Sequence, residues 1–177
     1  VQKHIEQHSD IAAVILEPVT GNMGVIEPSQ AFIQGLRKLT KEKDILLICD
    51  EVMTGFRSKF GGAQEMLGIE ADITCLGKVM GGGFPVGAYG ARNEIMENVA
   101  PLGGMYQSGT LSGNPIAMAA GMSTLLELKK QNPYKKFDKI AEKIETILLS
   151  AGKKHGVNLT VNRFGSMISP FFAKENI

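Results

Sequence analysis

Three apolar runs, each as long as a buried strand and each leading into a charged residue, constrain this chain more than any other feature. They are "IAAVILEPV" (11–19), "DILLICDEV" (44–52) and "DITCLGK" (72–78). Runs that are apolar at nearly every position suit strands covered on both faces, as in parallel sheets. The stretches between them have helical or turn character. From Ser29 to Glu42, Phe32, Leu36 and Leu39 fall at i, i+4 and i+7 behind Pro28, and a short helix is predicted near Ala63–Leu67. "VGAYGAR" (86–92) reads as a fourth strand.

Downstream, a helix is predicted from Pro115 to about Lys130, with small residues Ala117, Ala119, Ala120 and Gly121 suited to tight packing. Pro133 interrupts the chain, and a second helix runs from Tyr134 to Lys154. Its apolar stripe, Phe137, Ile140, Ile144, Ile147 and Leu148, is expected to face a helical core. "NLTVNRFGSMISPFFA" reads as two strands turning at Gly165. Alternating strands and helices predict an α/β fold with a mainly parallel sheet. A shift in composition near Gly152–Val157 predicts a boundary between residues 1–153, part of a large domain, and residues 154–177, the start of a smaller α+β domain.

In open α/β sheets the ligand lies beyond the carboxyl ends of the strands. Here those ends carry Glu17, Asp50 with Glu51, and Lys78. Glycine is enriched, 21 residues or about 12% against a usual ~7%. Much of the excess follows Lys78, in "GKVMGGGFPVGAYG". A phosphate loop requires Ser or Thr after the lysine and a glycine five before it; Val79 and Ile73 stand there. A dinucleotide fingerprint fails as well, because Val86 occupies its third glycine position.

Composition removes other classes. Net charge is +1, which suits neither nucleic acid nor an anionic membrane surface. No apolar run approaches the ~18 residues of a membrane span and no signal-peptide pattern opens the chain. A cytoplasmic location is expected, or a plastid stroma in a plant or alga. The absence of an initial Met suggests a fragment. Cys49 and Cys75 lie in apolar runs and are expected to be buried thiols rather than metal ligands. His4, His8 and His155 are expected on the surface, and no metal site is predicted.

One chemistry needs a lysine and an aspartate at neighbouring strand ends. In a pyridoxal 5'-phosphate site the lysine amine bonds to the cofactor aldehyde and later moves protons. The aspartate keeps the pyridine nitrogen protonated, so that the ring can accept electrons from the substrate. Asp50 and Lys78, 28 positions apart, have the required types. Alone, each is compatible with an ordinary capping or solvated loop residue.

The flanking motifs are more specific. "EPVTGNMG" (17–24), "CDEVMTGFR" (49–57), "CLGKVMGGGFPVGAYG" (75–90) and "MYQSGTLSGNP" (105–115) occur in this order. Together they resemble the class III aminotransferases of pyridoxal-phosphate fold-type I, and the resemblance runs from about Ile11 to the C-terminus. Met53, Asn22 and "GTLSGNP" depart from the commoner aminotransferase pattern and are similar to the aminomutase branch of the family.

The resemblance implies pyridoxal 5'-phosphate as cofactor, with Lys78 as covalent anchor and acid/base and Asp50 as partner of the ring nitrogen. It implies that Val52 packs on a ring face and Asn22 hydrogen-bonds the ring hydroxyl. Gly109 and Thr110 would bind the phosphate of the neighbouring subunit's cofactor, making a homodimer with shared sites. It further implies a small-molecule substrate, glutamate 1-semialdehyde, undergoing an internal amino shift. The alternatives are an aminotransferase for an omega-amine or amino acid, or an inactive fragment of either. The family's N-terminal phosphate loop, ring-stacking aromatic and gating segment have no counterpart in these residues, so the 177-residue piece alone is expected to be inactive and poorly soluble. Glu17 is expected to order its strand end, Glu51 to face away from the site, Met53 to line it and Arg57 to bond locally. Gly81–Gly83 are expected to pass close beneath the cofactor.

Overall fold

A computed structural model describes residues 1–173. The last four residues of the expected C-terminal unit, 174–177, lie outside the described residues. In chain order the helices are α1 (Gln2–Gln7), α2 (Gln30–Glu42), α3 (Gly62–Leu67), α4 (Asn93–Met96), α5 (Pro115–Gln131) and α6 (Tyr134–Lys154). The strands are β1 (Ala13–Leu16), β2 (Leu46–Asp50), β3 (Ile73–Leu76), β4 (Ala88–Ala91), β5 (Thr160–Phe164) and β6 (Met167–Phe171). A single 3₁₀ turn, Lys78–Gly81, follows β3.

The main sheet has the order β1-β2-β3-β4. The first three strands are mutually parallel and β4 returns antiparallel on β3. The register pairs Leu16 with Cys49 and Asp50 with Cys75. Strand alternation therefore puts Leu47 and Cys49 on one face, where both are fully buried. The opposite face carries Ile15, 64% exposed, beside Ile48. The core lies on the covered face and joins Ile33 of α2, Cys49, Ala63 and Leu67 of α3, Val19, Val25 and Ile69. Phe164 and Met167 of the β5–β6 hairpin belong to the same cluster.

Local chemistry sets the element ends. Ser29 caps α2 by accepting from Phe32 N–H at 3.2 Å. Asn114 caps α5 through bonds from Ile116 and Ala117 N–H at 3.0 and 3.2 Å, with Pro115 in the first helical position. Glu51, fully buried, accepts the Ala63 and Gln64 N–H groups, each at 2.8 Å, and so caps α3 from another segment. Thr54 donates its hydroxyl to the same carboxylate.

Two expectations about packing are corrected. The α6 stripe is not a helical core: Phe137, Ile140, Ile144 and Ile147 are 37–56% exposed among the described residues. The buried line runs instead through Tyr134, Ala141 and Gly152, and Gly152 packs against Val157 and Leu159 just before β5. In α2 the buried line is Ile33, Leu36 and Thr40, leaving Phe32 46% exposed. Gly82 and Gly121 provide clearance where the 3₁₀ turn meets α5. A Cβ on Gly82 would lie 2.7 Å from the Ala120 carbonyl of α5, and one on Gly121 would lie 2.5 Å from the Met80 carbonyl.

Candidate functional site

The carboxyl ends of β2 and β3 lie side by side and carry Asp50 and, after Gly77, Lys78. Asp50 is half-buried, and one carboxylate oxygen accepts the Val52 N–H at 3.0 Å. That short-range bond curls the chain out of the strand and directs Val52 toward β3. A Cβ on Gly77 would meet Val52 Cγ1 at 3.2 Å, so Val52 stands against the backbone that carries the lysine. Lys78 itself is exposed and begins the 3₁₀ turn at φ +45°, a left-handed conformation disfavoured for a residue with a Cβ. Among the described residues its amine forms no ion pair and donates no hydrogen bond.

A second loop, residues 20–26, leaves the end of β1. Thr20 and Ile26 close its neck with reciprocal backbone bonds of 3.1 and 3.2 Å. Glu17 accepts the Gly21 N–H at 3.1 Å, which is the ordering role expected of it. Gly21 touches Met53: a Cβ there would sit 2.6 Å from its sulfur. Asn22, exposed at the tip, is thereby held next to the segment that follows Asp50. Arg57 donates through Nε to the Met53 carbonyl at 2.6 Å, a local bond as expected.

The structure thus gathers Asp50, Val52, Met53, Asn22 and Lys78 on adjoining segments. Gly109 and Thr110 are not joined to them by any hydrogen bond among the described residues. Both are exposed, and Gly109 lines a separate cavity of about 520 Å³ with Met80, Val86, Tyr89 and Met118. The residue types fit pyridoxal 5'-phosphate: a carboxylate, a side-chain amide and an amine on adjoining segments, with the apolar Val52 against the backbone before Lys78.

Two groups depart from ordinary titration near this end of the sheet. Burial, reinforced by the Glu51 charge, pushes the Cys49 thiol up to about 12, so it stays protonated. Burial and then the Asp50 charge push the Cys75 thiol up. Cys75 is half-buried rather than fully buried, because it lies on the open face of the sheet. Neither is a reactive thiolate.

The residues that sequence reasoning missed are Gly21, Gly24, Met167 and Phe171, which fit the Asn22 loop against the hairpin. Only their glycines were a signal; contacts spanning more than 100 positions leave no local pattern. Also missed was Asp72, whose partners come from α2 and the loop after β4.

Comparison with known proteins settles the family. The model of the class-III aminotransferases matches residues 2–177. This chain belongs to the class-III aminotransferase family. Among curated relatives, a glutamate-1-semialdehyde 2,1-aminomutase of Persephonella marina is 56% identical over 178 residues, covering 100% of this chain and 42% of that protein. One from Aquifex aeolicus is 53% identical, covering 97% and 41%. The chain therefore spans about two-fifths of the length of these relatives. Among solved structures, an omega-transaminase from Sphaerobacter thermophilus matches with a TM-score of 0.91 at 34% identity, covering 99% of this chain and 40% of that one. A glutamate-1-semialdehyde aminomutase from Pseudomonas aeruginosa PAO1 in complex with PMP matches with a TM-score of 0.83 at 27% identity, covering 98% and 40%. The fold is that of the class-III aminotransferases, and the mainly parallel sheet expected from the sequence is present. No helix among the described residues is long and apolar enough to cross a membrane.

Proposed function

We propose that this chain forms part of an enzyme that shifts an amino group within glutamate 1-semialdehyde. The product would be 5-aminolevulinate, a tetrapyrrole precursor, and the cofactor pyridoxal 5'-phosphate. One observation carries the reading: a lysine and an aspartate end neighbouring parallel strands in a chain 56% identical to a named aminomutase. The bound cofactor supplies a ring that draws off the electron pair released when a bond to the substrate carbon breaks.

Lys78 would anchor the cofactor through its amine and, once released, would carry a proton between the cofactor and the substrate carbon. Its exposure at the start of the 3₁₀ turn leaves the amine room for both tasks. Asp50 holds a proton on the ring nitrogen; Val52 N–H fixes one carboxylate oxygen and leaves the other for the ring. Asn22 donates from its amide to the ring oxygen. Val52 supplies an apolar surface to one ring face. Gly109 and Thr110 donate to the cofactor phosphate of a second copy, making the active unit a homodimer. The substrate brings both amine and carbonyl, so no second amino acid takes part.

The match to an omega-transaminase favours one other reading, amino transfer between two molecules. The two separate when the full-length enzyme, loaded with pyridoxamine phosphate, meets glutamate 1-semialdehyde. The mutase reading expects 5-aminolevulinate without any keto acid, and its loss by at least about 10²-fold in Lys78→Ala. Product formation that depends on an added keto acid would sink it.

A further inference from the structure

Asn22 lies in a loop whose two glycines are both occupied from outside. Gly21 is enclosed by Met53 and by Met167 of β6, whose Cε would be 3.3 Å from a Cβ built there. Gly24, at φ +107°, abuts the tip of the Phe171 ring: a Cβ there would overlap its Cζ at 2.0 Å. Asn162 of β5 donates through Nδ2 to the Gly24 carbonyl at 3.0 Å. The next residue, Val25, is β-branched and sits at φ +58°. Such a conformation persists only where its surroundings over-determine it.

The same hairpin holds the loop that follows Asp50. Ser166 donates to the Arg57 carbonyl at 3.0 Å, and Ser58 donates to the Phe164 carbonyl at 2.8 Å. Gly165, in the hairpin turn, presses on Ser58, with a built Cβ 2.6 Å from the serine Cβ. Phe56 in this loop is also left-handed, at φ +59°, and Tyr134 of α6 donates to its carbonyl at 3.2 Å. The hairpin is paired from Thr160–Phe171 to Phe164–Met167, so its contacts on the two loops shift together.

We infer that the β5–β6 hairpin is the positioning element of the cofactor site, with Asn162 setting Asn22 through the Gly24 carbonyl. This rests on the cofactor role proposed for Asn22. A hydrogen bond to a ring oxygen weakens steeply with misalignment, so a loop released from the hairpin weakens it without any change in Asn22 itself. Asn162 is a positioning residue; Met167 and Phe171 are the surface on which the loop rests.

The test uses the full-length protein without substrate. Asn162→Asp keeps the shape and removes the donor; Asn162→Ala removes both. Each is expected to weaken pyridoxal phosphate binding about three- to tenfold, the effect of one hydrogen bond. Each is expected to move the pH midpoint of the cofactor's visible band in the direction that Asn22→Ala moves it. Combined with Asn22→Ala, neither adds a further shift to the band, since both act on the ring through Asn22. In cofactor-free protein, amide exchange rises at residues 21–25 and stays constant at residues 84–92. An unmoved band, shifts that add in full to those of Asn22→Ala, or unchanged exchange at residues 21–25 overturns the inference. A holoprotein that shows the expected band shifts yet makes no 5-aminolevulinate counts against the proposed reaction and leaves the inference standing.

Discussion

Two aspartates sit at opposite ends of the same sheet and are treated in opposite ways. Asp72, just before β3, is saturated. Arg37 reaches it with two bonds of 2.7 and 3.0 Å, Arg92 with one of 3.0 Å, and the Leu47 N–H with one of 2.8 Å. Asp50, at the far end of β2, accepts a single bond among the described residues, from Val52 N–H. Asp72 ties α2, β2 and the residue after β4 into one unit. Asp50 ties nothing and keeps an acceptor in reserve. A carboxylate satisfied on all sides holds a fold; one left partly satisfied keeps the capacity that the proposed cofactor role of Asp50 requires.

Exchanging the two losses gives the largest effect. Asp72→Ala leaves Arg37 buried without its partner and is expected to cost about 3 kcal/mol of stability. Asp50→Ala is expected to change stability by no more than about 0.5 kcal/mol while turnover falls by about 10²–10³-fold. Urea melts and rate measurements on the same two preparations check both halves. If both variants lose stability equally, the division between the ends of the sheet is wrong.

Acid titration sharpens the contrast. Burial raises the Asp72 carboxyl, but the Arg37 bonds, the Leu47 N–H and Arg92 outweigh it and hold it at about 2, below its ordinary 3.8. A folded-state value below the unfolded one stabilises the fold above the unfolded value, and the effect fades as pH falls toward the folded value. The expected loss between pH 5 and pH 2 is about 2 kcal/mol. Asp72→Asn removes that part of the slope. An unchanged slope in this variant would place the acid sensitivity elsewhere.

The end bearing Asp50 was legible in the sequence, and the end bearing Asp72 was not. Strand ends follow from apolar run length, and the Asp–Lys pair has a chemical reason to sit there. The Arg37–Asp72 pair joins residues 35 positions apart, with types found on any surface. Glu51 was read correctly as facing away, because strand alternation is local, although the helix it caps could not be foreseen. The orientation of α6 was misread because apolar periodicity shows which face is greasy, not which face is covered, and the covered line runs through Tyr134, Ala141 and Gly152. The glycine run at 81–83 signalled close approach without naming a neighbour; at Gly82 one neighbour is α5.

Backbone conformation gives the smallest and most local version of the comparison. Each end of the sheet has a non-glycine residue in the left-handed region, Asp44 at φ +54° before β2 and Lys78 at φ +45° after β3. Aspartate tolerates that region through local hydrogen bonding, and lysine does not. Glycine would relieve the strain at position 78, and the role proposed for the amine is one reason for a lysine to stand there. Lys78→Gly is therefore expected to be more stable than Lys78→Ala by about 1 kcal/mol, both lacking turnover. Asp44→Gly against Asp44→Ala is expected to differ by less. Thermal melts of the four variants decide it: if glycine gives no advantage at position 78, the lysine rests there without strain and the φ value carries no functional meaning.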